Sequence, residues 1–288
     1  MDNTPLIAII GGSGLYDMEG ITEKNNVFPD TPFGKPSSPI TIGLLGGKRV
    51  AFLARHGIGH ILNPSEVNYR ANIYALKALG VKKIFSISAC GSLREDYSPG
   101  EIVIPDQLFD FTKGRKRTFF ENGCVAHISP ANPFCNTLRS ITIDSLQSND
   151  TIVHTNGTLI TIEGPRFSTR AESNLFRAWG MSIIGMTASP EAFLAREAEM
   201  CYVTFAHVTD YDVWHISEEP VNVEMVIRTL NKNTQVAQES IRGIVADPRL
   251  EDDCECYSAL KDAVITQPGA ISSQAKEQLE IFLSKYNQ

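Results

Sequence analysis

The chain has 288 residues, 42% hydrophobic and 20% charged, with a net charge of −7, enough apolar material for one large domain or two small ones. The acidic balance excludes a general nucleic-acid surface and leaves room only for local positive charge around an anion. No apolar run reaches the roughly 20 residues of a membrane span, and no basic stretch with an apolar core opens the chain, so a cytoplasmic protein that binds neither nucleic acid nor membrane is expected.

In chain order, Pro5 to Ile10 is a short apolar run that breaks into Gly11-Gly12-Ser13-Gly14. This predicts a strand ending in a turn free enough for close anion approach, with the Ser13 hydroxyl at hand. The turn fits neither a P-loop nor G-x-G-x-x-G. Strands are predicted at Ile40–Leu45 and Val50–Leu53. The second runs into Arg55-His56-Gly57 with His60 beyond, so a guanidinium suited to phosphate and two imidazoles leave one strand end. Ser65 to Leu79 reads as a helix with an N-cap serine, Tyr69, Ile73 and Leu76 on one side, and Gly80 as its stop. The strand Ile84–Ser88 ends in Ser88-Ala89-Cys90-Gly91-Ser92, which offers another hydroxyl. Glu101–Ile104 is the next strand, and the basic run Lys113-Gly114-Arg115-Lys116-Arg117 reads as a solvated loop.

Further on, the strand Leu159–Ile162 leads into Glu163-Gly164-Pro165-Arg166-Phe167, a sharp turn with an exposed aromatic that can stack on a heterocycle. Helices over 169–179 and 191–200 bracket the strand Ser182–Ile184, after which Met186-Thr187 supplies a fourth hydroxyl. The strand Cys201–Val208 runs into Thr209-Asp210-Tyr211-Asp212. If that segment stays extended, the two carboxylates point the same way. Two close carboxylates resist double ionisation, which raises one pKa and leaves an acid able to protonate a ring nitrogen. Val223, Val226, Ile227, Leu230, Ala237 and Ile241 form a helical stripe that ends near Asp247-Pro248, and a last helix spans 272–286.

Strands alternating with helices predict an α/β fold, a mixed twisted β-sheet flanked by α-helices. Without a linker it reads as one domain, with residues 1–248 as the core and 249–288 as a C-terminal helical appendage. Ligands of such sheets bind beyond the carboxyl ends of the strands, where the hydroxyl, guanidinium and imidazole groups converge into an oxyanion site. The six cysteines, at 90, 124, 135, 201, 254 and 256, lack the spacing of a secreted disulfide scaffold. Cys254-Glu255-Cys256 is a C-x-C pair that sequence alone does not extend to a four-ligand zinc site and that leaves a structural or redox-active pair open. The cysteines stay outside the chemistry.

Eight ordered blocks carry a resemblance over nearly the full length: Ile9 to Leu15, Thr31 to Gly34, Arg55 to Gly57, Pro64 to Asn72 (PSEVNYRAN), Ala89 to Glu95 (ACGSLRE), Glu163 to Glu172 (EGPRFSTRAE), Gly185 to Thr187 and Thr209 to Asp212. The chain resembles the trimeric purine nucleoside phosphorylases, specifically the branch that acts on 5′-methylthioadenosine. The resemblance implies the single-domain phosphorylase fold and the phosphate-dependent cleavage of that nucleoside to adenine and a sugar 1-phosphate. It implies no metal and no organic cofactor, only inorganic phosphate as co-substrate. Ser13, Arg55, His56, Ser88 and Thr187 match phosphate-binding positions. Met186 matches the residue under the ribose, Phe167 the purine-stacking residue, and Asp210 and Asp212 the adenine-reading pair that carries catalysis. Val221, Val223 and Ile227 fall in the segment lining the 5′-methylthio pocket, and His127 matches a residue that reaches this pocket from a neighbouring subunit of a trimer or dimer of trimers. Gly185 departs from the pattern, since many relatives have Asn there. The stretch beyond Cys256 matches poorly and lends no residue. The alternatives are a 6-oxopurine or broad-specificity phosphorylase, a hydrolase in which water replaces phosphate, and a non-catalytic nucleotide-binding protein.

Overall fold

The computed structural model describes residues 4–12, 18–147, 151–215 and 223–286, with residues 147 and 225–234 as backbone only. The strands are β1 (Ile7–Gly11), β2 (Thr22–Val27), β3 (Ile40–Leu45), β4 (Lys48–Ala54), β5 (Lys83–Ser92), β6 (Ile102–Val103), β7 (Gln107–Phe111), β8 (Val153–His154), β9 (Thr158–Ile162), β10 (Ile183–Gly185) and β11 (Cys201–Asp210). The helices are α1 (Tyr69–Ala78), α2 (Asn136–Gln147), α3 (Arg170–Ala178), α4 (Ala188–Glu197), α5 (Val223–Ala246) and α6 (Ser273–Leu283), with short 3-10 turns between and after the last two.

Burial explains the layering. In β1 every residue is buried, and side chains alternate between faces with period two. Ala8 and Ile10 enter one apolar cluster with Ile73 and Leu76 of α1, Leu194 of α4 and Phe282 of α6. Ile7 and Ile9 enter another with Leu138 and Ile141 of α2 and Ile241 and Ile244 of α5. A strand covered on both faces reads as a continuous apolar run, which is why β1 and β11 are legible in sequence. A third, smaller cluster joins Ile160, Ile184 and Phe176 of α3. The result is the α/β sandwich expected from the alternation, a mixed sheet between helices.

The ladder runs β2-β3-β4-β1-β5-β10-β9-β7, with β11 also on β5, β6 on β11 and β8 on β6. The long strand β5 is the seam. On one edge it pairs in parallel with β11 along its length. On the other it pairs with β1 only as far as Ile10↔Ser86 and takes antiparallel β10 from Gly91↔Ile184 onward. Between Ser86 and Gly91 that edge has no strand partner among the described residues, and the carboxyl ends of β1, β4, β10 and β11 surround the opening.

Several elements differ from expectation. α1 begins at Tyr69, capped by the Asn68 side chain on Ala71 N–H, whereas Ser65 precedes it in a turn. α4 is interrupted by the extended Ser189 (φ −103°, ψ 134°), so its regular turns begin at Pro190, one residue before the expected Glu191. Three strands and α2 were not predicted. β2 is almost wholly exposed and polar, β8 has two residues, and α2 (NTLRSITIDSLQ) is rich in residues of poor helix propensity. Both large clusters continue beyond residue 248, through α6 on one face and through Leu250 and Cys256 on the other. Among the described residues no helix is long and apolar enough to cross a membrane.

Candidate active site

A cleft of about 850 Å³ opens at the gap beside β5, a size in the range of small-ligand sites. Arg55 and His56 reach it from the end of β4, Ser88 to Gly91 from β5, Gly185 to Thr187 from β10, and Thr209, Asp210 and Asp212 from β11. Phe167 lines it from the turn after β9, half-buried rather than exposed as expected, and Val223 from the first residue of α5. Nine of the thirteen expected residues are thus brought together. Ser13, Val221 and the side chain of Ile227 lie outside the described residues. His127 does not line the cleft; its exposed residue donates its backbone N–H to the Ala263 carbonyl at 2.8 Å.

At one end the donors are held rigidly. Arg55 is 2% exposed and bidentate to Glu191, Nε to Oε2 at 2.8 Å and Nη2 to Oε1 at 2.9 Å. Nη2 also donates to Ser86 Oγ at 2.6 Å and Nη1 to the Ile87 carbonyl at 3.1 Å. Four of the five N–H groups of a guanidinium are therefore committed, and one on Nη1 remains for a ligand. Burial works against the Arg55 cation, and the Glu191 carboxylate outweighs it and keeps the group charged. Glu191 Oε1 also accepts from Ser86 Oγ at 2.9 Å and Tyr202 Oη at 2.8 Å, the full satisfaction that a buried pair requires.

His56 Nδ1 lies 2.9 Å from the Leu62 carbonyl. A carbonyl only accepts, so Nδ1 carries the proton and the neutral ring keeps Nε2 as an acceptor. Burial, reinforced by the Arg55 charge, lowers the His56 pKa to about 4, and His60 stacks on the ring at 4.3 Å. Ser88 Oγ on β5 and Thr187 Oγ1 at the start of α4 are 3.4 Å apart, two hydroxyls from different elements facing one point.

At the other end the aspartates are not arranged as an extended strand would place them. β11 is irregular between Val208 and Asp210, and Asp212 turns back with φ +54°, so its N–H donates to Asp210 Oδ1 at 2.8 Å. Thr209 Oγ1 donates to Asp210 Oδ2 at 2.6 Å. Burial pushes the Asp210 pKa up to about 6; the Thr209 and Asp212 hydrogen bonds oppose this, and the Asp212 charge adds only a minor push. Desolvation, not mutual repulsion, is the main cause. Asp212 is also raised by burial, against the nearby hydroxyls of Ser173 and Ser168, and its Oδ2 is buried without a well-formed hydrogen bond. The pair needs a glycine beneath it: a Cβ at Gly91 would lie 2.9 Å from Asp210 Oδ1 and 3.3 Å from Asp212 Cβ. At Gly185 a Cβ would meet Leu159 Cδ1 at 3.5 Å and the Ala89 carbonyl oxygen at 3.9 Å, both ordinary contacts, so the departure there is not forced by crowding.

Sequence reasoning missed three groups. Arg115, expected in a solvated loop, is buried under the cleft and ties its walls together. It donates through Nη1 to the carbonyls of Met186 and Ser189, both at 2.7 Å, and through Nη2 to the Glu163 carbonyl at 2.7 Å. Glu163 in turn accepts from Lys113 N–H at 2.5 Å, Gly114 N–H at 3.1 Å and the Ser65 hydroxyl. Burial raises its pKa, and these bonds with Arg115 outweigh it and hold the carboxyl at about 2. Glu191 was missed because its partner is 136 residues away. His207 lines the cleft with neither ring nitrogen hydrogen-bonded, and burial lowers its pKa to about 3; a histidine inside an apolar strand carries no sequence signal of this.

Compared with known proteins, residues 6–246 match the phosphorylase superfamily. The chain is 50% identical over 282 residues to the S-methyl-5′-thioadenosine phosphorylase of Geobacter sulfurreducens, covering 98% of this chain and 99% of that protein. The crystal structure of a methylthioadenosine phosphorylase from an antarctic soil metagenomic library superposes with a TM-score of 0.93 at 49% identity, over 98% of this chain and 100% of that one. A mutant of the adenosine/methylthioadenosine phosphorylase of Schistosoma mansoni, solved in complex with methylthioadenosine, has a TM-score of 0.77 at 39% identity, over 84% of this chain and 91% of its own.

Proposed function

The chain belongs to the phosphorylase superfamily, and we propose that it cleaves 5′-methylthioadenosine with inorganic phosphate to adenine and 5-methylthio-α-D-ribose 1-phosphate, as an S-methyl-5′-thioadenosine phosphorylase. The observation that carries this reading is one cleft with an anion cradle at one end and a buried acid with a raised pKa at the other.

Phosphate lies on one face of the sugar C1′, between the Ser88 and Thr187 hydroxyls and the remaining Nη1 hydrogen of Arg55. His56 Nε2 accepts the O–H of hydrogen phosphate. The resemblance assigns Ser13 to the same cradle. Met186 packs under the ribose, its carbonyl already taken by Arg115, and Phe167 stacks on the purine. Adenine departs from the opposite face through a transition state with positive charge on the sugar, which the anion stabilises. Asp210 gives its proton to N7, a positioned general acid worth about 10²- to 10⁴-fold. The unpartnered Asp212 Oδ2 accepts from the 6-amino group, which a carboxylate can do and which a 6-oxo group cannot answer. Val223 borders the cleft at the proposed methylthio pocket, to which the resemblance also assigns Val221 and Ile227.

The reaction needs neither metal nor organic cofactor at the reacting centre, and the protein works in the cytoplasm. It assembles as a trimer or a dimer of trimers, with His127 entering a neighbour's site. In support, His127 belongs to a short ladder, Ala126 bridging Val264, where Val125 and Ile265 are 42% and 61% exposed; apolar surface beside an exposed imidazole suits a subunit contact. Incubating the protein with methylthioadenosine, with and without phosphate, and identifying the sugar tests the reading. Methylthioribose 1-phosphate formed only with phosphate is expected, and free methylthioribose as the main product would overturn it.

A further inference from the structure

Four cysteines that catalysis leaves unused converge on the opposite side of the core from the α1 layer. Cys135 precedes α2, Cys201 opens β11, and Cys254 and Cys256 flank Glu255 beyond α5. Their sulfurs all lie within 4.8 Å of one another, those of Cys135 and Cys254 at 3.6 Å. Cys135, Cys201 and Cys256 are buried and Cys254 is half-buried, and none of the four lines the cleft.

Two features distinguish this from incidental packing. Sulfurs bound tetrahedrally to one zinc ion at about 2.3 Å stand about 3.8 Å apart, so the thiols already have nearly the spacing of a closed site. Positive and N–H groups also face them. Arg196 Nη1 donates to Cys256 Sγ at 3.3 Å, and Leu138 N–H in the first turn of α2 donates to Cys135 Sγ at 3.5 Å. Lys83, the register partner of Cys201, is buried with its ammonium on the Tyr257 hydroxyl. Outer partners of this kind orient thiolate ligands and offset their charge.

We propose that Cys135, Cys201, Cys254 and Cys256 form a structural four-thiolate site for a thiophilic divalent cation of the zinc class. Binding displaces one proton from each thiol and leaves a complex with two net negative charges, which Arg196 and Lys83 balance. With all four positions filled by protein, the ion has no place for water or substrate and fastens the 254–256 segment to β11 and to the start of α2.

The test uses the whole chain expressed with zinc in the medium and desalted. Elemental analysis should find one zinc ion per chain, released in step with modification of the thiols by a mercurial. Cobalt(II) in its place should give thiolate-to-cobalt charge-transfer absorption and the d–d bands of a tetrahedral site, both lost in Cys254→Ser. Because replacing even a half-buried cysteine risks unfolding, wild type stripped by mercurial, reductant and chelator serves as the second comparison: its Tm should fall and return with zinc. Two results would each overturn the proposal: no stoichiometric zinc or cobalt on the fully reduced protein, or a non-reduced chain whose mass lacks the hydrogens of two disulfides.

Discussion

Asp210 and Arg55 are both charges withdrawn from water, and the fold treats them oppositely. Arg55 is given a carboxylate partner and stays ionised, while Asp210 is given two hydrogen-bond donors too weak to offset burial and keeps its proton up to about pH 6. The folded pKa lies above the ordinary 3.8, so the folded state binds the proton more tightly. The associated stability is present below about pH 4 and is lost as pH rises through 6. Asp210→Asn should therefore be more stable than wild type at pH 8, by about 1–3 kcal/mol, with the gap closing at pH 4, as urea melts at the two pH values would reveal. The same variant should lose activity on methylthioadenosine while its activity on inosine-type nucleosides falls less or rises, and the wild-type fall in kcat/KM above about pH 6 at saturating phosphate should disappear. An unchanged preference between the two nucleosides would remove Asp210 from base recognition. Glu191→Gln leaves a buried guanidinium without its counter-charge and should cost about 3 kcal/mol of stability without weakening phosphate, measured as KM beside the melt. The acidic pair was legible because Asp-x-Asp at a strand end is local chemistry. Its geometry was not, since the left-handed Asp212 and the desolvation of Asp210 depend on Gly91 and β5, far away in sequence. Arg115 was read wrongly because four basic neighbours in a run look solvated, and only the packed structure turns one of them inward.

At the scale of elements, long buried strands and capped helices could be read directly. α3 begins with a capping box, Thr169 on Glu172 N–H and Glu172 back on Thr169 N–H, which is a sequence pattern in itself. Edge strands such as β2 depend on a partner for their form, and no periodicity reveals them. In the proposed reaction α5 is the element assigned to selectivity. Its first residue, Val223, is 62% exposed and borders the cleft, an odd position for core packing and a natural one for touching the substrate's 5′ end. Apolar pockets reject an added hydroxyl only about 10- to 200-fold, so adenosine should be a poorer substrate rather than a non-substrate. Val223→Thr should narrow that ratio of kcat/KM values; no shift would move the pocket elsewhere.

For the molecule as a whole, the proposed trimer is consistent with His127 lying off its own cleft beside exposed Val125 and Ile265. Light scattering at assay concentration should give a trimer or larger, and a fully active monomer would contradict a site completed by a neighbour. The seam strand β5 has a consequence of its own for how the protein breathes. Its ladder to β1 ends at Ser86 and its ladder to β10 begins at Gly91, while Arg55 takes the Ile87 carbonyl. Residues two apart in a strand face the same edge, so Ala89 presents its amide to the opening, where no strand shields it among the described residues. In the middle of an otherwise buried sheet, this amide should trade its hydrogen for deuterium far faster than its neighbours and slow sharply when phosphate and nucleoside fill the gap. Exchange followed by NMR or by mass spectrometry would thus report occupancy of the cleft without any chromophore, and an Ala89 amide indifferent to both ligands would mean that they bind away from this edge.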